Sequence, residues 1–163
     1  MTEKFSIGLD ILSVIVETVP DGCIEYDVMD GIDDFEWQMS QVPGVQSTLS
    51  LAKVAKVVNA GWNEGHPAWR IIPRNPATLS QAVSPVETSS GLLNSDCSTM
   101  PVMLFLEDHR AETIDRVVAA AEDWAVDHDS DRHTFRLATG NVGVMAATNQ
   151  VVEQAQFQML LYV

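Results

Sequence analysis

The sequence predicts an α+β domain of the ferredoxin-like kind, a split βαβ-βαβ arrangement in which an antiparallel sheet carries its helices on one face. Two apolar runs, at residues 11–16 and 102–106, have the composition of interior strands. A helical pattern follows each run. Together with two shorter strand patterns, this gives the order strand, helix, strand, insertion, strand, helix, strand. The insertion, about residues 52–96, is expected to be long and irregular and separates strands 2 and 3.

The first strand is predicted for residues 10–18, and the turn signal Pro20-Asp21-Gly22 ends it. A helix is predicted for residues 23–41, since apolar residues recur there at three- and four-residue steps. The residues of that stripe are Ile24, Val28, Ile32, Phe35 and Met39. Pro43-Gly44 ends the helix, and alternating residues predict a second strand at 45–51.

The insertion contains frequent Gly and Pro residues, so only short helices are expected, at residues 52–60 and 78–83. Its aromatic and apolar residues are the candidate substrate contacts of the chain: Trp62, Trp69, Ile71 and Ile72. Tryptophans in a loop can line an apolar ligand site or an interface. They can equally hold the insertion onto the domain core.

The second half of the pattern begins with a strand at residues 100–107. Asp108 is predicted to cap a helix at residues 110–128. A short strand follows at residues 135–138, and a third helix is predicted from about residue 144.

Cys23 and Cys97 are the two cysteines, and their spacing fits neither a zinc site nor a redox motif. In the predicted topology, the end of the first strand lies beside the start of the third, which brings both cysteines to one edge. A disulfide between them is therefore expected, and closing so long a loop would stabilise the fold by roughly 4 kcal/mol. A persistent bridge implies an oxidising compartment.

The composition indicates one domain with a proper core, since 46% of the 163 residues are hydrophobic. A net charge of −14 repels phosphate backbones, so nucleic acid is not an expected partner. No nucleophile elbow, zinc-protease motif, phosphate loop or Cys-x-x-Cys occurs, which predicts no enzyme, no cofactor and no metal. The acidic residues Asp27, Asp30, Asp33 and Asp34 lack EF-hand spacing and indicate a solvated helix face.

Residues 155–163 rise in hydrophobicity up to Val163. One interpretation is a final element that docks on the core. The other is the start of a transmembrane helix, which needs about 20 apolar residues in full.

Five separated segments resemble the periplasmic loop domain of the resistance-nodulation-division (RND) superfamily, in its hydrophobe-exporter or MMPL-like branch. They are residues 12–29 (LSVIVETVPDGCIEYDVM), 42–51 (VPGVQSTLSL), 59–64 (NAGWNE), 84–100 (SPVETSSGLLNSDCSTM) and 137–151 (LATGNVGVMAATNQV). The resemblance covers nearly the whole chain. It implies a single periplasmic porter-like domain at residues 5–155, with residues 156–163 beginning a truncated transmembrane helix.

The resemblance also implies a proton-driven exporter of hydrophobic or amphiphilic molecules in the bacterial inner membrane, with this domain facing the periplasm. The expected partners are the transmembrane helices, the second periplasmic loop, lipophilic small molecules, and other subunits or accessory periplasmic proteins. The alternative is a stand-alone ferredoxin-like module that senses a small molecule or binds a protein.

Overall fold

The computed structural model describes residues 10–138. In that range it has four strands: β1 (Ile11–Thr18), β2 (Val45–Leu49), β3 (Thr99–Leu106) and β4 (His133–Ala138). The α-helices of the range are α1 (Tyr26–Ser40), α2 (Leu51–Trp62), α3 (Pro76–Val83) and α4 (Ala111–His128). The helix predicted from residue 144 and the membrane segment predicted at 156–163 lie outside the described residues.

The four strands form one sheet in the order β2-β3-β1-β4, and every neighbouring pair is antiparallel. At the centre, Val14 of β1 is opposite Val102 of β3. On the other side of β1, Val16 is opposite Phe135 of β4. The prediction of an α+β domain with an antiparallel sheet is confirmed.

Burial alternates along the two central strands, because successive side chains of a strand point to opposite faces. The buried residues are Leu12, Val14 and Val16 on β1, with Met100, Val102, Leu104 and Leu106 on β3. Buried side chains of all four helices belong to the same core cluster as these. On α1, the Phe35 ring lies 5.0 Å from that of Phe135 and 5.9 Å from that of Trp124, which joins α1 to β4 and α4.

Three predicted boundaries are wrong for local reasons. Residues Gly22–Ile24 form a 3-10 turn, so α1 begins at Tyr26 and not at residue 23. Strand β2 ends at Leu49, because the Ser50 hydroxyl caps α2 by accepting from the Lys53 amide at 3.1 Å. Asp108 is not the cap of α4. Its carboxylate instead accepts from the amide of Arg110, the residue at the cap position, at 3.1 Å.

The insertion contains both predicted helices, each slightly longer than expected, with 12 residues in α2 and 8 in α3. Helices α2 and α3 contact each other, and α3 also contacts the turn at Gly22–Ile24. Their buried side chains, among them Leu51, Ala55, Leu79 and Val83, belong to the main core. The insertion is therefore part of the domain's packing, and α2 lies beside α1 and also contacts β3.

Candidate ligand-binding groove

A groove of about 570 Å³ lies between α1, α2 and the segment that leads into α3. We call it the insertion groove. It is lined by Tyr26, Asp30 and Asp33 of α1, by Lys56 and Asn59 of α2, and by Trp69, Arg70, Ile71, Ile72, Pro73, Arg74, Asn75 and Thr78. Its volume is in the usual range for a small-molecule site, about 300–1,000 Å³.

Three of the four predicted substrate contacts line the insertion groove. Trp69 and Ile71 are about half exposed, at 49% and 54%, and Ile72 is buried. Trp62, at the end of α2, is 71% exposed and is not among the lining residues. The structure therefore brings Trp69, Ile71 and Ile72 together and leaves Trp62 on a separate part of the surface.

Asn59 holds the apolar wall of the groove in place. Its side chain is buried in α2, and its amide nitrogen donates to the carbonyl oxygens of Trp69 at 2.8 Å and Ile71 at 3.3 Å. A buried amide of this kind fixes the backbone of an otherwise irregular segment. The side chains of Trp69 and Ile71 stay available at the surface, because only their backbone is bound.

The polar wall is built from contacts within and between the helices. The Lys56 ammonium forms an ion pair with Asp33, which joins α2 to α1. The Tyr26 hydroxyl donates to Asp30 at 3.0 Å, and the guanidinium of Arg74 lies 5.2 Å from the centre of the Tyr26 ring. This last contact is a cation–π interaction that holds the segment before α3 against the start of α1.

A buried carboxylate fixes the spacing of the two helices that form the groove. Glu36 of α1 is only 4% exposed and accepts hydrogen bonds from the hydroxyls of Thr48, at 2.6 Å, and Ser50. The Lys53 ammonium lies 3.1 Å from the same carboxylate and donates to the Thr48 carbonyl at 2.8 Å. One charged cluster thereby joins α1, β2 and the start of α2.

The disulfide lies at the end of β1. Cys23 and Cys97 are bonded, with their Cα atoms 5.4 Å apart and a sequence separation of 74. Backbone hydrogen bonds support the same edge, from Thr18 to Ser98 at 2.9 Å and from Asp21 to Asp96 at 2.8 Å. Hydrogen bonds from the Ser98 hydroxyl and amide lower the pKa of Asp96, which keeps this loop carboxylate ionised.

Asp34, on the acidic face of α1, has a raised pKa because of partial burial and the nearby charges of Asp30 and Asp33. Its ionised form is thus less favourable in the folded chain than in the unfolded one. This penalty is present above the folded pKa and vanishes as the pH falls below the unfolded value near 3.8.

We therefore expect Asp34→Asn to stabilise the chain at pH 7, by less than about 0.5 kcal/mol because solvent screens an exposed group. The gain should disappear below pH 3.8, which urea denaturation at several pH values would measure. Asp115→Asn on α4 makes the same change in net charge and is the matched control. An equal gain in both variants would mean that the general negative charge, and not the environment of Asp34, is responsible.

The sequence analysis missed most of the polar wall of the insertion groove. It assigned the acidic residues of α1 to a solvated face, whereas Asp30 and Asp33 line the groove and Asp27 and Asp34 do not. The sequence did contain a signal for the polar wall. Arg70 and Arg74 flank Ile71 and Ile72, and two close arginines are unusual in a chain with only 9 basic residues against 23 acidic ones.

Residues 10–138 contain neither a candidate metal site nor a helix that could span a membrane. In that part of the chain, His, Cys, Asp and Glu side chains form no group of three or more that could hold a metal ion. None of the helices between residues 10 and 138 is both long and apolar enough to span a bilayer.

No protein-family model matches the chain, and no curated protein matches it at a significant level.

Proposed function

We propose that the chain is the periplasmic porter domain of a proton-driven RND exporter, with a ferredoxin-like fold that carries a helical insertion. The strand order β2-β3-β1-β4 supports this assignment, because a split βαβ pattern has its first and third strands at the centre of an antiparallel sheet. The five resembling segments support it independently. The domain's role is to offer a path for hydrophobic or amphiphilic molecules and to move with the rest of the transporter.

The observation that carries the proposal is the insertion groove, with its apolar wall of Trp69, Ile71 and Ile72. A concave site with a partly exposed aromatic wall and a few polar groups is suited to binding an amphiphilic small molecule. The disulfide favours the periplasm, since such bonds persist in oxidising compartments. Catalysis is not part of the proposal. The proposed partners are the transmembrane helices, the second periplasmic loop, other subunits or accessory proteins, and the lipophilic cargo.

Binding of the neutral dye Nile red to the chain tests the site. Trp69→Ala should weaken binding about fivefold, equal to about 1 kcal/mol, because it removes half-exposed aromatic surface from the groove wall. Trp62→Ala is the matched control, since Trp62 is exposed and lies outside the lining residues. Fluorescence titration measures both variants. Equal affinities for wild type and Trp69→Ala would rule out the groove as the binding site.

Export itself is tested in cells that carry the whole gene. Deleting the gene should raise Nile red accumulation, the wild-type gene should restore efflux, and the Trp69→Ala gene should restore it less well than the Trp62→Ala gene. Accumulation that does not change on deletion would contradict transport. If the chain nevertheless bound Nile red, the stand-alone sensing module would be the better explanation.

A further inference from the structure

We propose that Arg70 and Arg74 make the insertion groove selective for single-chain amphiphiles with an anionic head group. This inference rests on the proposed function and adds to it the charge class of the ligand. A net charge of −14 would by itself make the chain prefer cationic ligands, whereas this site is proposed to prefer anionic ones.

The basic residues of the chain are concentrated at this site. A second pocket of about 270 Å³ adjoins the groove and shares Asp33, Lys56 and Arg70 with it. Together the two pockets are lined by four of the 9 basic residues: Lys53, Lys56, Arg70 and Arg74. A random surface of this composition would place carboxylates in excess around any cavity.

The carboxylates of both pockets already have partners. Asp33 is paired with Lys56, and Asp30 accepts from the Tyr26 hydroxyl. Glu36 is bound by Lys53 and two hydroxyls. The lysines are therefore neutralised locally, and Asp30, Asp33 and Glu36 form no ion pair with Arg70 or Arg74.

Among residues 10–138, Arg70 and Arg74 have no such partner. No carboxylate between residues 10 and 138 lies within ion-pair distance of Arg70 or Arg74. The Tyr26 ring orients Arg74 but supplies no carboxylate or carbonyl oxygen for its N–H groups. A planar guanidinium is well suited to bind a carboxylate or phosphate through two parallel hydrogen bonds.

Apolar surface lies beside these cations. Trp69, Ile71 and Ile72 form one wall next to Arg70, and Trp37, which is 66% exposed, lines the adjoining pocket that Arg70 also lines. A ligand that satisfies both features has an anionic head for Arg70 and Arg74 and an alkyl chain for the aromatic wall. An inorganic anion would satisfy only the first feature.

Calorimetric titration of the chain with three ten-carbon amphiphiles tests this directly. Decanoate, 1-decanol and decyltrimethylammonium share one alkyl chain and differ in head-group charge. We expect decanoate to bind at least tenfold more tightly than the other two, and inorganic phosphate to bind more weakly than decanoate. A wild-type chain that binds decanol or decyltrimethylammonium as tightly as decanoate, or that does not bind decanoate, overturns the proposal.

The double variant Arg70→Gln, Arg74→Gln should lose the preference for decanoate and keep the affinity for decanol. Arg110→Gln, Arg136→Gln makes the same change in charge at exposed positions outside both pockets and is the matched control. A preference that survives in the groove variant, or falls equally in the control, also overturns the proposal. Nile red carries no charge, so its binding without a decanoate preference leaves the proposed function standing and rejects only this inference.

Discussion

Replacing both cysteines, as Cys23→Ala and Cys97→Ala, should lower the free energy of unfolding by about 4 kcal/mol. The bond closes a loop with a sequence separation of 74 residues, so its loss returns a large conformational entropy to the unfolded chain. Urea denaturation of the variant and the wild type measures the difference. The native sheet should persist, because backbone hydrogen bonds from Thr18 and Asp21 also hold this edge.

Alanine is the informative replacement at Cys97, which has a φ of 54° in the left-handed region. The backbone cost of that conformation, about 1 kcal/mol, is the same for cysteine and alanine and therefore cancels in the comparison. Glycine at position 97 would remove this backbone cost and so mask part of the loss of stability. Reduction of the wild type with a phosphine should reproduce the loss without any mutation. A loss below about 1 kcal/mol by both routes would show that the bridge does not constrain the unfolded chain.

The sheet could be predicted because its signal is local. Apolar runs and alternation identify β1 and β3, and the turn at Pro20-Asp21-Gly22 separates β1 from the helical layer at α1. The predicted boundaries are less accurate, since capping depends on which side chain reaches an amide. Asp108 has the chemistry of a cap, but the cap position of α4 is Arg110, two residues later. The Asp108 carboxylate accepts from the Arg110 amide instead.

The helices of the insertion could be predicted, but their packing is harder to predict. Gly and Pro residues are frequent at 61–76, whereas residues 51–60, which precede them, form most of α2. Gly and Pro residues indicate where helices and strands end, but not how these elements pack against each other. The burial of Leu79 and Val83 in the main core depends on contacts with distant parts of the chain.

The candidate site could be predicted only on its apolar side. Trp69, Ile71 and Ile72 are close in sequence, so composition alone draws attention to them. The polar side depends on the approach of Tyr26 to Arg74 and of Asp33 to Lys56, which belong to separate elements. The sequence separation of two residues in different elements does not predict whether they are in contact. Only the packing of α1 against the insertion creates the groove.

The packing of α1 against α2 should depend strongly on Glu36. We expect Glu36→Ala to lower the free energy of unfolding by about 3 kcal/mol, because it removes the acceptor of two hydroxyls and the carboxylate that is paired with Lys53. Glu36→Gln keeps the shape and one carbonyl acceptor but removes the charge, so about half that loss is expected, and this half reports the ion pair with Lys53. Urea denaturation measures both variants.

Glu122→Ala on α4 is the control, since an exposed carboxylate should cost less than about 0.5 kcal/mol. Equal losses for Glu36→Ala and Glu122→Ala would contradict the role of the buried cluster. The groove should respond as well, because Glu36 joins α1 to the start of α2, and Lys56, further along α2, forms the ion pair with Asp33 at the groove. Any loosening at Glu36 should therefore weaken Nile red binding even where the folded state survives. Trp69→Ala should differ, because it weakens binding without comparable loss of stability.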